Sequence, residues 1–165
     1  MIILGIDPGY AILGYGIVED TGSRITALDY GMVSTDPSLT FPCRLETLHL
    51  GVAELVKLYR PDHVVFEELF FYRNVSTALQ VGAGRGVAML AAQQAAVPLY
   101  EYTPMQIKLA VTGNGHADKK QIQQMVRVLL NLTSLPKPDD AADALGVAIC
   151  HANTAAHARE EFRIK

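Results

Sequence analysis

Ile2-Ile3-Leu4-Gly5-Ile6-Asp7-Pro8-Gly9 is the stretch on which the fold turns. An apolar run that ends in Asp-Pro-Gly predicts a buried strand stopped by a turn. Leu13 to Glu19 alternates loosely after a short loop, which predicts an antiparallel hairpin partner. Ile25 to Val33, with Thr26, Leu28 and Tyr30, supplies a third strand. Glycines within these segments weaken each strand taken alone.

Outward from this meander the period changes. Leu45, Leu48, Val52, Leu55, Val56 and Tyr59 recur at three- and four-residue spacing, which predicts a helix from about Arg44 to Tyr59, ended by Arg60-Pro61-Asp62. His63 to Glu67 is rich in β-branched and apolar residues on both faces, as a central strand requires. Val75 to Ala96 reads as a long helix rich in small residues, followed by a short strand from Val97 to Tyr102. Two helices are expected over Pro104–Val111 and Lys119–Leu132, and a last one from about Asp140 into the tail. Strands first as a meander, then alternating with helices, predict an α/β domain with a mixed sheet.

The chain has 165 residues, which predicts one domain spanning 1–165. Half of them are hydrophobic, which excludes a disordered acidic or basic chain. The longest uncharged run, Gly86 to Tyr100, contains Gln93, Gln94 and Pro98 and is too short and polar to span a bilayer. The N-terminus lacks a basic segment followed by a cleavage site, so a cytoplasmic protein is expected. Cys43 and Cys150 are too few for a disulfide scaffold, and an inert buried thiol is expected of Cys150 in its apolar helix. The five histidines are scattered along the chain. The net charge of −3 hides an asymmetry. Between Leu69 and Pro138, seven basic residues face only Glu101 and Asp118, and that excess is where a polyanion would dock.

Three acidic segments carry the candidate chemistry. Asp7 either forms its own turn through side-chain bonds or is presented at the open edge of the sheet, where ligands bind in α/β folds. Glu67 and Glu68 end a buried strand and must face opposite ways, Glu67 with Val65 and Glu68 with Phe66. In Pro138-Asp139-Asp140-Ala141-Ala142-Asp143 the acids suit a helix start, yet Asp140 and Asp143 are three apart and share a face. Four carboxylates brought together repel one another and repel phosphate. Hard oxygen ligands select Mg²⁺ or Mn²⁺, and two such ions about 4 Å apart serve phosphodiester hydrolysis. Gly113-Asn114-Gly115 with Lys119 lacks the spacing of a Walker loop.

In this order and spacing the motifs resemble the RuvC family of crossover-junction endodeoxyribonucleases over nearly the whole chain. The carrying segments are Ile3-Leu4-Gly5-Ile6-Asp7-Pro8-Gly9, Val65-Phe66-Glu67-Glu68-Leu69-Phe70 and Gly84-Arg85-Gly86-Val87-Ala88. Gln106-Ile107-Lys108, Thr112 to Lys119, and Asp139 to Leu145 complete them. The resemblance implies a ribonuclease-H-like fold, a five-stranded mixed sheet flanked by helices, acting as a homodimer. It implies a metal-binding tetrad of Asp7, Glu67, Asp140 and Asp143 holding two Mg²⁺, with Mn²⁺ able to substitute. Lys108 and Lys119 match basic residues at the scissile backbone, and Lys120 stands beside them. Phe70 matches an aromatic that engages bases near the junction centre, and Arg73 offers a phosphate contact. The implied activity is resolution of Holliday (four-way) junctions in homologous recombination and DNA repair. Two strands of like polarity are nicked symmetrically to leave 5′-phosphate and 3′-hydroxyl ends. The implied partners are junction DNA and the branch-migration proteins RuvA and RuvB. Three rivals stand against this. A ribonuclease-H-like enzyme of RNA–DNA hybrids would share the acids, and a junction-binding structural protein would not cut. An actin-like sugar kinase would need a far longer chain.

Overall fold

The computed structural model describes residues 1–69 and 75–165. Phe70, Phe71, Tyr72 and Arg73 lie outside the described residues. The chain runs β1 (Ile2–Asp7), β2 (Ile12–Asp20), β3 (Ile25–Ser34), α1 (Phe41–Tyr59), β4 (His63–Glu67), α2 (Val75–Gln94) and β5 (Leu99–Tyr102). It continues with α3 (Pro104–Thr112), α4 (Lys119–Leu129), α5 (Asp139–Asn153) and a short 3₁₀ turn, Arg159–Phe162. The five strands form one sheet in the order β3-β2-β1-β4-β5. The meander β1-β2-β3 is antiparallel, and β4 and β5 add in parallel on the other side of β1. The expected mixed five-stranded sheet is the one observed.

Alternation along the central strands creates two cores. Ile3, Val18, Val65 and Tyr100 face α3, α4 and α5, meeting Ile107, Val111, Ile122, Val126, Leu145 and Ile149. Leu4, Ile6, Leu13, Ile17, Val64 and Phe66 face the other way, onto Leu48, Val52 and Leu55 of α1 and Ala88 and Ala92 of α2. Strand β1 is apolar on both sides because it sits mid-sheet with helices above and below.

Element ends differ from the sequence reading for local reasons. Helix α1 starts at Phe41, three residues before Arg44, because Pro42 in the first turn needs no amide partner. It stops where Arg60 takes a left-handed φ of 47°, just before Pro61. Strand β5 begins at Leu99 instead of Val97. Helix α4 ends at Leu129, short of Leu132, and α5 stops at Asn153 and does not continue into the tail. Thr103 with Gln106 and Asp118 with Gln121 form reciprocal capping boxes that fix where α3 and α4 begin. Among the described residues no helix is long and apolar enough to cross a membrane.

Candidate active site

The glycines that weaken β1 and β2 as isolated strands are the seat of α5. A Cβ on Gly5 would meet the backbone of Ala144 and come within 2.8 Å of the Ala148 amide nitrogen. One on Gly16 would lie 2.7 Å from the Leu145 amide nitrogen, and one on Gly14 would run into the Asp140 carbonyl. Helix α5 therefore presses its backbone on a groove of missing side chains. Its Ala-rich sequence suits that contact, with Ala141, Ala144, Ala148 and Leu145 fully buried. The seam fixes where the first turn of α5 lands, which is directly over Gly14.

That position gathers the acids. Gly14 pairs with Asp7 across the β1–β2 ladder. Ile6 pairs with Phe66 across the parallel β1–β4 ladder, so the next residues, Asp7 and Glu67, end adjacent strands at the carboxyl edge of the sheet. Gly5 and Val65 face the α5 side, and the two-residue period puts Asp7 and Glu67 on that side too. Asp140 and Asp143, in the first turns of α5, come down onto the same edge.

The carboxylates act on one another. Burial, then the charges of Glu67, Asp143 and Asp140, push Asp7 up to about 7, against a lowering pull from Lys119. Burial and the charge of Asp143 likewise raise Glu67 to about 7, with Lys108 and Lys119 opposing. Burial raises Asp143, partly offset by its hydrogen bond and ion pair with Lys119. The Lys119 ammonium stands 3.1 Å from Asp143 Oδ2 and 3.6 Å from Asp139 Oδ2. Burial works against its charge, but these carboxylates prevail and raise its pKa. A cleft of about 230 Å³ opens beside the cluster, lined by Glu67, Pro104, Ile107, Lys108, Lys119, Ile122 and Asp143.

Six of the nine candidate side chains thus share one place: Asp7, Glu67, Asp140, Asp143, Lys108 and Lys119. Lys120 does not join them. It lines a separate crevice with Asn114, Asp118 and Gln124, because neighbouring positions on α4 point to different sides. Phe70 and Arg73 lie outside the described residues. Glu68, by parity, faces the opposite side from the cluster.

The cluster suits a hard divalent cation by its chemistry. It offers four oxygen-donor side chains, two of them raised to about 7 by burial and by the charge of neighbouring carboxylates. Among the described residues no three such groups stand close enough to enclose an ion as arranged, and Asp143 is turned to Lys119 instead.

Two features escape a reading by sequence. Asp139 holds Lys119, a partnership signalled only by its four-residue spacing from Asp143. The scattered histidines include a pair that meets: His63 Nδ1 lies 2.8 Å from His151 Nε2, and His151 Nδ1 lies 2.9 Å from Tyr102 Oη. This chain, buried at His151 and Tyr102 and half-buried at His63, ties the far end of α5 to β4 and β5. Cys150 beside it is buried, as expected, and burial alone pushes its thiol up to about 12.

Comparison with known proteins gives one answer. Residues 3–151 match the family model described as crossover junction endodeoxyribonuclease RuvC. The RuvC endodeoxyribonuclease of Alkaliphilus oremlandii is 56% identical over the full length of both chains, and that of Alkaliphilus metalliredigens is 53% identical over the same span. The structure of Thermus thermophilus RuvC superposes with a TM-score of 0.87 at 39% identity, covering 99% of this chain and 98% of that one. The same protein in complex with a Holliday junction substrate gives 0.88 at 36% identity, covering 99% of this chain and all of that one. Fold, sequence and the edge-on cluster of acids agree, and the chain belongs to the RuvC family of crossover junction endodeoxyribonucleases.

Proposed function

We propose that this chain, one domain over residues 1–165, is the metal-dependent endonuclease that resolves four-way DNA junctions, working in the cytoplasm. One observation carries the reading: four carboxylates, two of them raised to about 7 by burial and by the charge of their neighbours, meet at the carboxyl edge of the sheet, beside a cleft flanked by Lys108 and Lys119. Such a cluster repels a DNA backbone unless cations sit between the two.

Asp7, Glu67, Asp140 and Asp143 would hold two Mg²⁺, with Mn²⁺ able to replace them. When bound, such ions supply positive charge at a phosphodiester and lower the pKa of an attacking water. The remaining roles belong to the chain itself. Lys108 and Lys119 orient the scissile phosphate and offset the charge that grows on its oxygens. Ile107 and Ile122 wall the cleft and limit the water that reaches it. Phe70 would stack on a base exposed at the junction centre, and Arg73 and Lys120 would hold neighbouring phosphates. The products would be 5′-phosphate and 3′-hydroxyl ends.

Symmetric cutting of two strands of like polarity needs two such sites, and a homodimer supplies them. The outward face of α2 supports that arrangement. A Cβ on Gly82 or Gly86 would meet nothing within 4 Å, and Leu79 and Leu90 on the same face are exposed. Exposed glycines inside a helix cost stability without any return within one chain, whereas a close-packed second helix gives them a use. RuvA and RuvB, the branch-migration proteins of this family, would deliver the junction.

The test compares a synthetic four-way junction, a linear duplex and an RNA–DNA hybrid at equal concentration, each with and without Mg²⁺. Paired symmetric nicks in the junction alone, and only with the metal, are expected. Preferential cutting of the hybrid would replace this reading with that of a hybrid nuclease.

A further inference from the structure

Lys119 is the first residue of α4, where the helix dipole is positive and a lysine is unfavourable. Two carboxylates of a different helix hold it there. Asp139 and Asp143 are four residues apart on α5 and so stand one above the other on its surface. They are not equivalent. The Asp143 side chain is 24% exposed and lines the cleft, whereas Asp139 is 62% exposed and lies outside it. The ammonium is closer to Asp143, at 3.1 Å, with Asp139 within a short swing at 3.6 Å. One oxygen of Asp143, Oδ2, is thus the shared point between an internal cation and the carboxylate cluster.

We infer that Lys119 is a resident counter-ion of the carboxylate cluster, competing with divalent cations for Asp143, and that Asp139 is the positioning residue that receives it when a cation takes Asp143. This rests on the reading of the four carboxylates as the metal site. Lysine suits the role, because a compact charge on a flexible four-carbon stem can change partner without moving the backbone. Asp139 keeps the displaced ammonium at the rim of the cleft, where a phosphate arrives. Without Asp139, displacing Lys119 costs it its second ion-pair partner among the described residues, and the incoming cation works against a stronger hold on Asp143. Asp139 therefore acts on the metal through Lys119. An acid acting only through its own charge would help the cation whether or not the lysine were present.

The distinction is measurable without DNA and without turnover. Calorimetric titration of the chelator-treated protein with Mn²⁺ alone is compared for the natural chain, Lys119→Met, Asp139→Asn and the double variant. Lys108→Met is the control, since Lys108 also lines the cleft but makes no ion pair among the described residues. Lys119→Met should bind Mn²⁺ about tenfold tighter, and Lys108→Met at most about twofold, given the usual size of coupling between groups in contact. Asp139→Asn should weaken binding about threefold in the natural background and leave it unchanged in the Lys119→Met background. Equal weakening in both backgrounds, or a Lys119→Met affinity no greater than that of Lys108→Met, overturns the inference and leaves the metal site standing. Undiminished Mn²⁺ binding by Asp143→Asn overturns the metal-site reading itself, and the inference falls with it.

Discussion

Asp7 ends a strand that is buried on both faces, and burial, with the charges of three other acids adding to it, raises its pKa to about 7. Its unfolded value is near 3.8, so the folded state holds the proton more tightly. The stability it contributes is full below about pH 3.8 and is lost as pH rises toward 7. At neutral pH without divalent cations, Asp7→Asn should therefore stabilise the protein by about 1 kcal/mol or more, raising Tm by about 3 °C for a chain this size. Thermal melts in chelator test this, and an unchanged or lower Tm would show that Asp7 is not under repulsion. At this scale much was legible. Parity puts Glu67 and Glu68 on opposite faces, the family resemblance picks out Glu67, and three-residue spacing pairs Asp140 with Asp143. Asp139 was not legible, because its partner Lys119 lies twenty positions away on another helix and the only local signal is the four-residue spacing of Asp139 from Asp143.

Helix α5 reaches the sheet edge because Gly5, Gly14 and Gly16 leave room for its backbone. In Gly14→Ala the new methyl would collide with the Asp140 carbonyl, a backbone atom that cannot turn aside. The helix would have to lift. Overpacking of this kind costs roughly 1–3 kcal/mol. Because misplacement by about 1 Å can cost a hundredfold in rate, nicking should fall at least that far even in the fraction that stays folded. Urea melts and junction cleavage on one preparation test both effects, and full activity with unchanged stability would contradict the account of the seam. From the sequence these glycines read only as weak points in strands. Which helix lies over them is a tertiary fact, set by long-range packing. The strands themselves, by contrast, were legible to within a residue or so, since alternation and the Asp-Pro-Gly turn are local signals.

Over the whole molecule, charge and histidine chemistry depend on where the chain returns. Among the described residues the excess of basic residues between Leu69 and Pro138 is divided between several places. Lys108 and Lys119 line the cleft, Lys120 turns to a neighbouring crevice, and Arg85 is committed to an ion pair with Glu101. His63, His151 and Tyr102 come from three elements, and their linear spacing gave no hint of a network. Burial and the nearby His63 and Arg159 charges hold His151 down to about 3, so it stays neutral in the fold while the unfolded chain takes up a proton near 6.5. Stability should fall as pH drops from about 6.5 toward 3, by up to about 1.4 kcal/mol per pH unit for this group. Denaturant melts at pH 7 and pH 5 check the slope, and His151→Gln should flatten it. An identical slope in that variant would place the acid sensitivity elsewhere.

The proposal that the four carboxylates from β1, β4 and α5 form one catalytic centre is tested most directly by a synthetic four-way junction challenged with the natural chain and with Asp7→Asn, with and without Mg²⁺, while junction binding is followed in parallel. Paired nicks are expected only from the natural chain with Mg²⁺, and the variant should hold the junction without cutting it. Cutting by Asp7→Asn at near the natural rate would contradict the account.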